Sequence, residues 1–407
     1  MLVRLHVMCA GLAMALPLAF ASAQTVHLVG PGGFAQIGAA IAAAAPGDIV
    51  RVAAGTYAEF VCDKGVTIVA MPGAQVDIAP STGSANQSVT RFQLPAGHSA
   101  RVRGLHFTSP LSLLSMATYV IDSTVAFESC TFAANLVSDD LLRVQNGAVW
   151  LRDCTLDVGQ LSWPVPALRA DNSRVAAVDC TFRGNRLAPD GFFGAGHGID
   201  ASASDLHLVG CTVSGGDTMF LSCFYPAGDA LRLANGSRAW LADSTLTGGD
   251  GNGNCGPGGT ALRNLGPAAV HLTRTTLVPG GGNPNGLASV GPTVADTLIG
   301  LAAPSQPAIV GAPYAVAWRT TPGDVLFVLL SLELVPAPPA VTVEATWLSP
   351  PQSFWFATLV ADVTGTATLQ TGVPNTASLR DVGMWLTAVD LATSPWHVAP
   401  PIGGTLH

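Results

Sequence analysis

The chain has 407 residues, of which only 11% are charged, and its formal net charge is −8 with a single lysine, Lys64. An acidic, lysine-poor chain excludes nucleic acid and anionic membrane as general partners, and its length has room for two domains. Its 45 Gly and 29 Pro divide the apolar residues into short runs, the composition of strand-rich architecture.

Residues 1–23 read as a secretory signal. Arg4 opens it, Val7 to Phe20 is apolar, and Ala21-Ser22-Ala23 is a small-residue cleavage site before Gln24. The run is too short to span a membrane comfortably, and so is Val325 to Leu330. The mature chain, with no transmembrane segment, is expected to be secreted or held at the cell surface after bacterial-type export. That is an oxidising setting for its seven remaining cysteines.

From Phe34 to Ala45 the spacing of Phe34, Ile37 and Ile41 predicts a helix, stopped by Pro46-Gly47-Asp48. Strands follow at Ile49–Val52 and Val66–Val69. The run from Phe34 through Gly47-Asp48-Ile49-Val50-Arg51-Val52, Gly55-Thr56-Tyr57 and Lys64-Gly65-Val66-Thr67-Ile68 closely resembles the opening of right-handed parallel β-helix proteins of the pectin-lyase-like superfamily. The resemblance spans roughly residues 25–295. It implies a solenoid with a capping helix over its first coil. It implies no one activity, because the superfamily holds lyases, hydrolases, esterases, adhesins and structural modules.

A repeated phrase supports a solenoid on separate grounds. Val125-Ala126-Phe127-Glu128-Ser129-Cys130-Thr131-Phe132 recurs around Cys154, Cys180 and Cys211, with Ser244 and Thr275 in the sulfur position of two later copies and a weaker copy at Val102–Phe107. The steps are 25, 24, 26, 31, 33 and 31 residues, a stacked-coil period. Inward apolar residues five places apart, an odd number, cannot share one face of a uniform strand, so the chain must bend next to each Cys. The four cysteines then point inward as a ladder of buried free thiols rather than as disulfides.

About eleven residues before each Cys position a second phrase places an outward residue beside an inward Leu or Ile. Stacking predicts a row Arg143, Arg169, Asp200, Arg232, Arg263, with Asp140, Pro166, His197, Asp229 and Thr260 three residues earlier. In the superfamily the strand after the longest turn lines the substrate groove, and the resemblance places both rows there. His197, Asp200 and Asp229 are candidates for proton transfer. Asp140, Arg143, Arg169, Arg232 and Arg263 are candidates for holding substrate, since arginine binds carboxylates in bidentate fashion. The competing reading is a solvated, charge-balanced face. Asp139-Asp140 and Gly196-His197-Gly198 resemble motifs of polygalacturonase-type hydrolases. Here they stand 57 residues and two coils apart instead of one, and the Asn-Thr-Asp and Arg-Ile-Lys elements of those enzymes are absent. No spacing of His, Cys or Asp suggests a metal site, and no cofactor is expected.

Cys223 and Cys255 occupy equivalent places in two long inserts, nine residues before Arg232 and eight before Arg263, and are expected to form a disulfide. Cys62 is left over and expected to be buried. Gly215-Gly216-Asp217 and Gly248-Gly249-Asp250 open the inserts, and their glycines read as permissive turns.

The phrase fades after Leu277. The expected domains are a β-helix over 24–297, a linker over 298–313 and an antiparallel β-sandwich over 314–407, with strands near 315–319, 325–335, 341–347, 354–363, 366–371 and 384–391. Trp347, Trp355, Trp385 and Trp396 lie in the sandwich, where core packing is preferred over a sugar platform. Such appended sandwiches resemble C-terminal modules of large exported bacterial proteins, which serve in attachment or sorting. The functional expectation is a non-catalytic β-helix that binds an extracellular polysaccharide or cell-surface glycan, or displays at the cell surface. The alternatives are a polysaccharide lyase or glycoside hydrolase acting on an extracellular, uronate-containing or neutral glycan, and a structural spacer without ligand.

Overall fold

The computed structural model describes residues 24–79, 90–108, 118–133, 140–161, 163–187, 194–218, 225–252, 256–303, 306–332, 334–337, 346–348, 353–376, 379–391 and 396–406. The fold is the expected one: a right-handed parallel β-helix followed by antiparallel sheets. Three parallel sheets build the solenoid. Sheet I has eleven strands, from Val26–Val29 to Thr293–Ala295. Sheet II has nine, from Gly55–Tyr57 to Thr276–Val278, and sheet III has nine, from Val61–Cys62 to Ser289–Val290.

One coil illustrates all of them. Leu142–Gln145 lies in sheet III, Ala148–Arg152 in sheet I and Thr155–Asp157 in sheet II. Between sheets I and II one residue takes a left-handed conformation, Asp153 at φ 51°. Its counterparts are Ser129, Asp179, Gly210, Asp243 and Arg274, all between 46° and 65°. This is the bend demanded by the five-residue apolar spacing, and Asp and Gly tolerate it better than most residues do.

The cysteine that follows each bend is buried and free, as expected for Cys130, Cys154, Cys180 and Cys211. Each thiol turns back to the carbonyl two residues before it, at 3.2–3.4 Å. Ser244 and Thr275 make the same contact with hydroxyls, at 2.9 and 3.1 Å. Cys62 is also buried and free.

A second corner, between sheets III and I, also has left-handed residues: Asp122, Asn146, Asn172, Ala203 and Asn235. Serines one or two places later, Ser123, Ser173, Ser204 and Ser237, are buried and bond to neighbouring coils. Inside the solenoid, aromatic side chains stack at coil spacing, with the Phe107 and Phe132 rings 4.9 Å apart and nearly parallel.

The helix that covers the first coil is shorter than expected, Ile37–Ala43. Phe34 instead forms a bridge with Val29, while Ile37 and Ile41 are buried as predicted. The helix carbonyl end is held by the only lysine. Lys64 Nζ donates to the carbonyls of Ile41, Ala42 and Ala44 at 3.1, 2.7 and 2.8 Å, placing a cation where helix ends favour one.

The C-terminal sheets pair Gly300–Leu301 with Pro313–Arg319 and Thr366–Gly372. In a second sheet, Ser353–Val360 pairs with Val325–Ser331, which pairs in turn with Gly383–Asp390. This domain lies along the outer face of sheet I, with Trp150 and Trp240 of the solenoid buried beneath it. The Trp150 indole N–H donates to the Pro401 carbonyl at 2.9 Å, and its ring meets Trp385 edge-on at 6.3 Å.

Within the seam, Arg152 forms an ion pair with Glu128, whose other oxygen accepts the Thr405 N–H at 2.8 Å. Asp381 receives Arg51 at 2.6 Å and Arg103 at 3.3 Å. The start of the stretch expected to be a linker is part of this seam: Leu298 and Ile299 are buried there, and Gly300–Leu301 is a strand. Trp347 and Trp385 are core residues, as is Trp318, whereas Trp355 and Trp396 are 66% and 40% exposed.

Candidate functional site

The outer face of sheet III carries the predicted rows. Cα pairing joins Arg143 to Arg169, Arg169 to Asp200, Asp200 to Arg232 and Arg232 to Arg263. The row extends backwards to Tyr119 and Arg91, which the sequence reading missed. Counting eleven residues back from Cys130 would have found Tyr119.

The earlier row leans onto this one with an offset of one coil. Asp140, 1% exposed, meets Arg169 at 2.9 Å and Arg143 at 4.0 Å. Arg143 also reaches Asp171 at 3.2 Å and lies over the Tyr119 ring at 5.8 Å. Asp200 is 3.7 Å from Arg232. Asp229, 4% exposed, is held by Arg263 through two bonds of 2.6 and 3.1 Å and accepts the Thr260 N–H at 2.8 Å. This pairing raises the Arg263 pKa. Each arginine of the predicted row is therefore matched to an aspartate, and the face between Asp140 and Arg263 is close to neutral. Asp171 is a member that sequence reasoning did not assign.

His197 stands beside Asp229. Its Nδ1 accepts the Asp229 backbone N–H at 3.0 Å, and an Asp229 carboxylate oxygen is 3.6 Å away. Burial lowers the ring pKa below its usual 6.5 and outweighs the opposing pull of Asp229 and Asp200. The imidazole is thus neutral, with its proton on Nε2. That tautomer offers a hydrogen-bond donor and has no free lone pair with which to act as a base.

Behind these residues the inserts pack backbone on backbone. A Cβ on Gly216 would come within 1.7 Å of the Asn185 carbonyl, and one on Gly249 within 2.0 Å of the Gly216 carbonyl. Neither glycine has a left-handed φ. Both are required for close approach rather than for turning, contrary to the sequence expectation. Asn185 is fully buried and locks the wall, its side-chain oxygen accepting the N–H groups of Val165 and Gly196 at 2.8 and 2.7 Å.

Asp139, Cys223 and Cys255 lie outside the described residues, and the expected disulfide with them. Among the described residues no group of three or more His, Cys, Asp or Glu is placed to hold a metal ion, and no helix is long and apolar enough to cross a membrane.

No family model matches the chain, and no curated protein matches it. Among solved structures it is similar to full-length tailspike protein 2 from Escherichia coli O157:H7 bacteriophage CAB120. The two are 10% identical over 88% of this chain and 63% of that one, with a TM-score of 0.38. The chain therefore spans less than two thirds of that tailspike's length. It is also similar to the enzymatically active domain of bacteriophage CBA120 tailspike protein 2, at 10% identity over 90% of this chain and 72% of that one, with a TM-score of 0.34.

Proposed function

We propose that this chain is an exported β-helix protein that binds an extracellular or cell-surface glycan along the outer face of sheet III without cleaving it. One observation carries the reading: of the three candidates for proton transfer, Asp229 and His197 are already committed, and Asp200, 3.7 Å from Arg232, has no second free acid or base to work with among the described residues. Asp229 is closed in a two-point pair with Arg263, Asp140 is buried against Arg169, and the His197 nitrogen that a base would need accepts a backbone N–H. What the face still offers is donors and acceptors at coil spacing, which suits recognition of hydroxyl groups. Export rests on the signal-like residues 1–23, and attachment through the sandwich on its likeness to surface modules.

The test is a glycan array with the purified 24–407 chain, followed by incubation of each bound glycan with the protein. Binding that falls in the Arg169→Ala/Arg232→Ala double variant, with no new reducing ends and no unsaturated products, supports the reading. Product formation that His197→Ala or Asp229→Ala abolishes would overturn it in favour of a lyase or hydrolase.

A further inference from the structure

A second surface, around the corner from that site, is an open trough of about 960 Å³. Its floor is the corner between sheets III and I together with the first residues of the sheet I strands, and its far wall is the sandwich segment around Leu334 and Pro336. The lining runs from Thr67 to Arg238 across seven neighbouring sheet I strands. At the usual strand spacing that is a length of about 29 Å.

We infer that this trough binds a linear acidic polysaccharide. Three features point to that ligand. The first is periodicity. The exposed corner residues Asp122, Asn146 and Asn172 repeat at one per coil, and the Asn172 amide donates to the Asn146 side-chain oxygen at 3.0 Å. Side-chain amides in register suit a chain of hydroxyl-bearing units.

The second is charge. The lining holds three arginines, Arg101, Arg174 and Arg238, against two aspartates, Asp122 and Asp205, in a chain whose net charge is −8. Arg238 takes Asp205 in a bidentate pair of 2.7 and 2.8 Å. Arg174 is left with long contacts only, 3.8 Å to Asp205 and 3.5 Å to the Pro336 carbonyl, and its Nε is buried without a hydrogen-bond partner. This guanidinium, with one carboxylate shared between two arginines, is placed to take an anionic group of the ligand.

The third is what the trough withholds. Its sheet I strands are paired on both sides, so no backbone edge is open for an added peptide strand. That favours a carbohydrate over an acidic peptide.

The experiment is a titration of the full mature chain with hyaluronan decasaccharide. A dextran oligosaccharide of matched length is the neutral control, and polyglutamate the peptide control. Hyaluronan should bind, dextran should not, and added salt should weaken binding. Arg174→Gln should weaken it about tenfold or more. Thr124→Trp, which fills the floor of the trough without touching Arg174 chemistry, should do the same. Thermal unfolding of both variants checks that the fold is intact.

The inference is overturned if the native chain binds no hyaluronan, if polyglutamate binds better, or if both folded variants bind as the native chain does. Loss of hyaluronan binding in Arg232→Gln with retention in Arg174→Gln also overturns it, by moving the ligand to sheet III. That last result would leave the proposed function standing, so the two readings fail separately.

Discussion

The backbone N–H of Asp229 donates to Nδ1 of His197, one coil away, and so fixes the ring's remaining proton on Nε2. Burial lowers the pKa of this ring, so the folded chain binds its proton less readily than the unfolded chain does. The stabilising contribution is therefore present above about pH 6.5 and is lost as pH falls below it. Nitrogen chemical shifts should report the Nε2–H tautomer at pH 7 and a midpoint below 6.5. Asp229→Asn keeps the N–H donor but removes a charge that raises the pKa, so the midpoint should drop further. A midpoint above 6.5 in the native chain contradicts this account.

His207 provides a steeper pH response. It sits on the outer face of sheet I between Ala176 and Trp240, under the sandwich, 2% exposed, and neither ring nitrogen has a hydrogen-bond partner. Burial pushes its pKa down to about 3, and nearby His397 adds to the effect. Stability should accordingly fall as pH drops from about 6.5 towards 3. His207→Leu removes an unpaired buried polar group and should raise stability at pH 7 by about 1–3 kcal/mol, while flattening the acid decline. Urea midpoints at pH 7 and pH 4.5 measure both effects, and a loss at both would refute the assignment.

The buried pair of Glu128 and Arg152 makes a different prediction. Glu128→Ala strands a guanidinium in the seam and leaves the Thr405 N–H without its acceptor, at a cost of about 3–5 kcal/mol. The double variant Glu128→Leu/Arg152→Met should recover most of that loss, because desolvating the two charges consumes much of their attraction. Equal losses in the single and double variants, read by urea unfolding, would argue against it.

Thiol counting tests the ladder and the expected disulfide together. Cys62, Cys130, Cys154, Cys180 and Cys211 are buried and free, and burial pushes the Cys62 thiol up to about 12. None of the five should react quickly with an aromatic disulfide reagent in the folded chain. After unfolding without reductant, a chain lacking residues 1–23 should release five thiols if Cys223 and Cys255 are bridged, and seven if they are not.

Much of the solenoid was legible because each coil repeats one physical problem, turning a corner without losing the inward face. The Cys phrase marks that corner, and counting from it placed Arg143, Arg169, Asp200, Arg232 and Arg263 in one row. The second corner was equally readable, since Asp122, Asn146, Asn172 and Ala203 each stand eight residues before a ladder Cys. The pairings were less so. Asp229 finds Arg263 through an offset of three residues combined with a step of one coil, and side-chain reach rather than sequence spacing decides that match. The trough could not be read from the repeat at all, because the sandwich supplies its far wall. A hint was present in the central residues Ala126, Trp150, Ala176 and Trp240, apolar on the outward side of strands whose inward side was already accounted for.

The seam also sets an order of assembly. Thr405 bonds to Glu128 across 277 positions of sequence, so the coils can stack while the tail is still being made, but the part of sheet I around Trp150 cannot be fully covered until Trp385 and Pro401 arrive. Until then Trp150 lacks the Trp385 ring and the Pro401 carbonyl that cover it on a long parallel sheet, an aggregation-exposed intermediate. Nascent chains cut short before residue 380 should therefore depend on a chaperone that holds apolar surface, and chains that include Thr405 should not.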